Sequence, residues 1–214
     1  MKYSQIAASL LLAGSAMAAP SPTIASSVVA RDNTAASMIL AIAPKSSACA
    51  TTTGDCRTNV QAAQPMIDAF DKYDIRTPGE IAGIISLMAY ESGDFVYKHN
   101  VSPGRPGQGT ANMQMFDFNQ KYAASIDDLE TQVAALGSIT DDTGKNNLLA
   151  LLTDDKYNFG SGPWFYSTQC TDAQKTALQK GDDAGFAQYM ACVGVTVADD
   201  RSAYWNRAKT AFGL

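Results

Sequence analysis

The sequence predicts a mainly α, single-domain protein with at most a small β-hairpin. Apolar residues recur at helical spacing through most of the chain, and Asp, Ser or Thr stands at most of the helix starts so defined. Nowhere is there a sustained series of alternating strands, and no internal repeat is present.

Taken in order, Asn59 to Tyr73 carries Val60, Ala63, Met66, Ile67 and Phe70 on one helical face. Thr77-Pro78-Gly79-Glu80 then supplies an N-cap, a proline at the first helical position and a capping-box glutamate. Ile81, Ile84, Ile85 and Met88 continue that helix, and Gly93 suits the left-handed residue that ends it. From Asp94 to Gly109 the period disappears among Pro103, Gly104, Pro106 and Gly107, with Phe95-Val96-Tyr97 the candidate strand of a hairpin. Helical spacing resumes at Thr110 or Ala111 and runs to about Ala124. Further helices are expected at Asp127 to Leu136, Gly144 to Leu152, Asp172 to Lys180, Asp182 to Cys192 and Asp199 to Phe212.

The first residues read as an address. Met1-Lys2, the apolar run Ile6 to Ala13 and Ala16-Met17-Ala18 have the form of a signal peptide over 1–18, too short to span a bilayer. Pro20 to Arg31 lacks turn chemistry and period, which leaves 19–31 as a pro-segment or a loose tail. The remaining roughly 180 residues, 32–214, suit one domain with its own core. The expectation is a secreted, extracellular monomer.

Charge and composition exclude several classes. The formal charge is 16 − 21 = −5, and removing Lys2 and Arg31 with the leader gives 14 − 21 = −7. Such a field repels nucleic acid and anionic membrane surfaces, so neither is an expected partner. A single histidine, His99, argues against a His-ligated zinc or a Ser-His-Asp triad, and neither a metal nor another cofactor is expected. Cys49, Cys56, Cys170 and Cys192 are even in number in an exported chain, which predicts disulfides. Of three connectivities, Cys49–Cys56 with Cys170–Cys192 is favoured, since the first closes a tight loop and the second pins two consecutive predicted helices. Asn100-Val101-Ser102 is the one N-glycosylation sequon.

Glu91 is the carboxylate that stands out. It follows Ile84 by seven residues, Leu87 by four and Met88 by three, on or beside the buried stripe at the last turn of its helix. Burial and the negative end of the helix dipole both favour the protonated form there, the condition a glycosidase needs in its general acid. The plainer alternative is a carboxylate turned to solvent or paired with Lys98 or Arg105.

Ala89-Tyr90-Glu91-Ser92-Gly93, then Gly109-Thr110-Ala111-Asn112-Met113-Gln114-Met115, then Tyr157-Asn158-Phe159-Gly160 resemble in order and spacing three motifs of goose-type lysozymes and soluble lytic transglycosylases. The chain is also similar to a group of secreted fungal muramidases with a lysozyme-like fold. The resemblance implies a lysozyme-like catalytic domain, with Glu91 as general acid of a muramidase cleaving β-1,4 links between N-acetylmuramic acid and N-acetylglucosamine in bacterial peptidoglycan. By the same pattern Tyr157 would hydrogen-bond the acid, while Asn158 and Gln114 would bind sugar. Asn112 stands where the families have an apolar residue, and Asp117 lies one residue later than their aspartate. Asp117 ranks ahead of Asp94 as the second catalytic carboxylate. At roughly 6.5–9.5 Å from Glu91 it would activate a water, and at about 5 Å it would be a nucleophile. Tyr97, Trp164, Phe165 and Tyr166, in stretches weak in helical period, are candidate sugar-packing faces beside Asn112 and Tyr157. Tyr204 and Trp205 are assigned to the core. Alternatives on the same scaffold are a chitinase or chitosanase, a lytic transglycosylase, or a non-catalytic secreted effector or glycan-binding protein.

Overall fold

The computed structural model describes residues 34–50 and 54–214; the signal peptide and pro-segment expected at 1–31 lie outside them. Helices dominate: α1 (34–42), α2 (Asn59–Lys72), α3 (Pro78–Glu91), α4 (Phe116–Ala124), α5 (Glu130–Ala135), α6 (Asp142–Leu151), α7 (Asp155–Gln169), α8 (Asp172–Leu178), α9 (Asp183–Cys192) and α10 (Asp199–Phe212). Among the described residues no helix is long and apolar enough to cross a membrane.

The sequence of α3 explains its central place. Thr77 accepts from the Glu80 backbone N–H while the Glu80 side chain returns to the Thr77 N–H, closing the expected capping box ahead of Pro78. From Ala82 to Ala89 every residue is buried, and a helix apolar on all sides belongs inside a core. Glu80 is buried too, its Oε1 accepting from Tyr166 Oη at 2.9 Å and Gln179 Nε2 at 3.0 Å. Gly79 lets α8 approach, because a Cβ there would stand 2.4 Å from the Leu178 carbonyl oxygen.

One apolar cluster surrounds α3 with Ile39, Met66, Phe159, Tyr189 and Trp205. A second gathers Tyr122, Leu129, Leu148, Leu152, Trp164 and Phe165. α10 lies along α3, α2 against α7 and α8 against α9. Cys49 is bonded to Cys56 and Cys170 to Cys192, the second bridge tying the end of α7 to the end of α9.

Two helices escape the sequence reading. α1 precedes the first helix expected, and α7 covers Tyr157, Trp164, Phe165 and Tyr166, a stretch whose sequence is weak in helical period. α7 holds Gly160, Gly162 and Pro163, residues that normally argue against a helix interior. Packing overrides that preference: a Cβ at 160 would lie 2.5 Å from Tyr122 Oη, and one at 162 would lie 2.7 Å from Met88 Sδ. The helix expected from Thr110 begins instead at Phe116. Residues 110–113 form a turn, with Thr110 and Met113 at positive φ. The expected hairpin reduces to isolated antiparallel bridges, His99 with Gly109 and Gly109 with Gln114.

Candidate functional site

Glu91 lies where the two apolar clusters part. A cavity of about 340 Å³ opens there, walled by Leu87 and Glu91 of α3, the 105–115 segment, Phe118 of α4, Phe165 of α7, Val193 to Val195 after α9, and Arg201 of α10. A second hollow of about 220 Å³ shares Glu91, Gln108 and Met113 and extends past Tyr97, His99 and Asn100. Together they form a groove that straddles Glu91.

The partner of Glu91 is neither Lys98 nor Arg105. Arg201 Nη2 donates to Glu91 Oε1 at 3.0 Å, with the two side chains 18% and 24% exposed. The guanidinium stacks 4.6 Å from the centroid of Tyr90, whose hydroxyl donates to Asp200 at 2.6 Å. That hydrogen bond, reinforced by burial, raises the Tyr90 hydroxyl above its ordinary pKa. Arg201 is thereby held over a ring that is itself anchored.

Neither expected second carboxylate is among the residues that line the groove with Glu91. Asp117 is exposed in the first turn of α4 and is not among the residues lining the cavity. Asp94 is buried, accepting from the Lys45 N–H at 2.9 Å and from Tyr204 Oη. Burial, and then that bond to Asp94, push the Tyr204 hydroxyl up to about 12. Tyr204 is therefore a partly buried polar anchor, while Trp205 is core.

The expected binding residues divide. Asn112 and Gln114 line the cavity and Tyr97 lines the adjoining hollow. Tyr157 points elsewhere, its hydroxyl 3.3 Å from Asp128 with Lys156 over its ring, so it does not hydrogen-bond Glu91. Asn158 and Trp164 are buried, the indole packed on Tyr122 at 5.0 Å. Phe165 reaches the cavity from the same helix.

Gln114 braces the turn more than it faces a ligand. Its Nε2 donates to Asn119 Oδ1 at 2.8 Å, and Asn119 Nδ2 donates to the carbonyls of Gly107 and Gln114. Gln108 does similar work, accepting from Asn100 Nδ2 at 2.6 Å and donating to the Met113 carbonyl at 3.0 Å. The sequon asparagine is thus half-buried and already hydrogen-bonded. His99 faces Asp55 at 2.6 Å.

With these bonds made, two buried polar atoms of the cavity-lining residues have no hydrogen-bond partner: Asn112 Oδ1 and Arg201 Nε. Two more unpartnered atoms, Asn158 Oδ1 and Tyr189 Oη, belong to buried residues that do not line it. Sequence reasoning missed Arg201 and Asn119. Arg201 meets Glu91 across 110 residues of chain, and no local pattern announces such a contact.

Among the described residues no group of three or more His, Cys, Asp or Glu side chains is placed to hold a metal ion. No family model matches the chain, and no solved structure matches it. The chain is 50% identical over 157 residues to a bifunctional dioxygenase (DOX)-epoxy alcohol synthase (EAS) of Fusarium oxysporum (strain Fo5176). The match covers 72% of this chain and 12% of that protein, so the chain spans about an eighth of the relative's length. The relative is named for oxidative chemistry, not for glycoside hydrolysis. On that finding the expectation of a muramidase is corrected, together with the chitinase and transglycosylase variants and the hydrolase, lysozyme and peptidoglycan-degrading descriptions attached to it.

Proposed function

We propose that this chain is a binding module for a small oxygenated aliphatic molecule, serving oxidative chemistry carried out elsewhere. One observation carries the reading: a buried unpaired acceptor, Asn112 Oδ1, and a buried unpaired donor, Arg201 Nε, belong to residues lining one cavity. Buried polar groups without partners are costly, and a ligand supplying both complements relieves that cost on binding. The ligand must donate to Asn112 and accept from Arg201. Met113, Phe118, Phe165 and Val193 give the same cavity an apolar side suited to a short carbon chain.

An epoxy alcohol has this character, with a hydroxyl to donate, an epoxide oxygen to accept and an aliphatic remainder. The name of the Fusarium relative supports that class. The segment shared with it is too small a part of the relative to bring over its two activities, which is why binding is the function proposed. The two disulfides support an oxidising location, and hence export.

Calorimetric titration with epoxyhexanol, hexanol and epoxyhexane tests the reading. Epoxyhexanol should bind about tenfold or more tightly than either molecule lacking one polar group, a difference of about 1.4 kcal/mol for a lost hydrogen bond. Arg201→Met should remove the preference for the epoxide oxygen. Equal affinity for all three compounds, or no binding of epoxyhexanol, would refute it.

A further inference from the structure

Three buried amides behind the cavity wall form a one-way relay. Asn119 Nδ2 donates to the backbone carbonyls of Gly107 at 2.8 Å and Gln114 at 3.2 Å. Gln114 Nε2 donates to Asn119 Oδ1 at 2.8 Å, and Asn112 Nδ2 donates to Gln114 Oε1 at 3.4 Å. All three side chains are buried, so water does not replace a bond that is lost.

The relay's direction is set at its closed end. Each amide has one end that only donates and one that only accepts, so turning one over obliges its neighbour to turn as well. A backbone carbonyl can only accept, and the carbonyls of Gly107 and Gln114 therefore demand the NH2 of Asn119. Asn119 is left with Oδ1 toward Gln114, which must answer with its own NH2 and keep Oε1 for Asn112. Asn112 in turn commits its NH2 to Gln114, and its Oδ1 remains as the free end. That atom is the unpartnered acceptor among the cavity-lining residues. Reversing the relay would set oxygen against oxygen at the two carbonyls, a loss of about tenfold or more in population for each buried group left unmatched.

We infer that Gln114 and Asn119 are positioning residues that fix the hydrogen-bond polarity of the cavity. At Asn112 the site takes a protic group such as a hydroxyl and refuses an aprotic oxygen such as that of an ether or a ketone. An unrestrained asparagine amide could turn to suit either oxygen; this one is held by bonds that end on backbone. Asn119 does not line the cavity and acts only through Gln114. The selectivity rests on the reading of the cavity as a ligand site, but the direction of the relay is testable without a ligand.

NMR couplings through hydrogen bonds read that direction. Gln114 Nε2 should couple to the side-chain carbonyl carbon of Asn119; coupling from Asn119 Nδ2 to the side-chain carbonyl carbon of Gln114 overturns the inference. Titration then compares epoxyhexanol with its methyl ether, whose ether oxygen can only accept. The unaltered protein should favour the alcohol about tenfold or more. Gln114→Met frees the Asn112 amide to turn. The ether should bind Q114M more tightly than it binds the unaltered protein, and the preference should fall to about twofold or less. Gln114→Glu still turns an accepting oxygen to Asn112, so Q114E should keep the preference near tenfold. A preference kept in Q114M, or lost in Q114E, overturns the inference. If Q114M does not fold, Q114E and the couplings decide it. If neither compound binds the unaltered protein, the ligand reading fails while the couplings still decide the direction of the relay.

Discussion

Asp155→Asn should be among the most damaging single substitutions near the groove, because one carboxylate serves two cations. Arg57 Nε donates to both Asp155 oxygens at 2.7 Å, and Lys98 Nζ donates to Oδ1 at 2.7 Å. Lys98 is only 3% exposed, and its other hydrogen bond goes to the Thr153 carbonyl. Removing one partner of a fully buried ion pair costs about 3–5 kcal/mol, chiefly because the remaining charge is stranded. The Asp155 side chain is 32% exposed, so water can partly replace it, and about 2–3 kcal/mol is the expected loss. For a domain of this size that corresponds to a Tm lower by roughly 5–10 °C by calorimetry. Lys98→Met should destabilise the unaltered protein yet raise Tm in the D155N background, where it removes the stranded ammonium. A D155N protein melting within about 1 °C of wild type, or K98M equally harmful in both backgrounds, would refute this account of the ion triad.

The same group predicts an acid limb. Burial pushes the Asp155 carboxyl up, but Arg57 and Lys98 outweigh it and hold the group below its ordinary value near 3.8. A carboxylate with a depressed folded pKa contributes its full stability above the unfolded value, and that contribution is lost as pH falls through the folded pKa. The deficit of D155N should therefore be constant above about pH 5 and shrink below about pH 4, read from urea midpoints across that range. Gly109→Ala places a Cβ 2.4 Å from the Lys98 carbonyl oxygen, backbone that cannot yield, and 2.8 Å from the Leu149 side-chain methyls. It should cost about 2–3 kcal/mol, whereas Gly54→Ala, with nothing within 4 Å, should be close to neutral. Replacing Cys170 and Cys192 by Ala should cost about 3 kcal/mol, and replacing Cys49 and Cys56 should cost less, since their separations are 22 and 7 residues. Denaturant melts of the two double variants give the order.

Features fixed by local chemistry were legible in the sequence. Thr58, Thr77 and Thr171 each close a capping box with the residue three positions on, and Asp141 and Asp182 cap as aspartates do. α7 was illegible because its Gly-Ser-Gly-Pro run is dictated by Tyr122 and Met88, residues far away in the chain. At the site, Glu91 could be singled out because a helix period places it. Arg201 could not, since α10 reaches Glu91 only through the fold. The muramidase activity drawn from the three-motif resemblance fails on the Fusarium relative, and the site geometry gives it no support. It rested on about ten positions, and the structure sends Tyr157 to Asp128 and exposes Asp117 instead of gathering both around Glu91.

The final helix sets a dimension of the groove. Arg201 and Tyr204, three residues apart on α10, grip Glu91, the last residue of α3, and Asp94 in the turn that follows it. Asp94 and Phe95 both hold left-handed backbone angles, φ 64° and 66°, which side chains this large seldom adopt unaided. The two helices thus mesh like a rack and pinion. The mouth of the groove inherits its width from helical register, so sliding α10 by a single residue would disengage both teeth at once and let the wound segment after Glu91 relax.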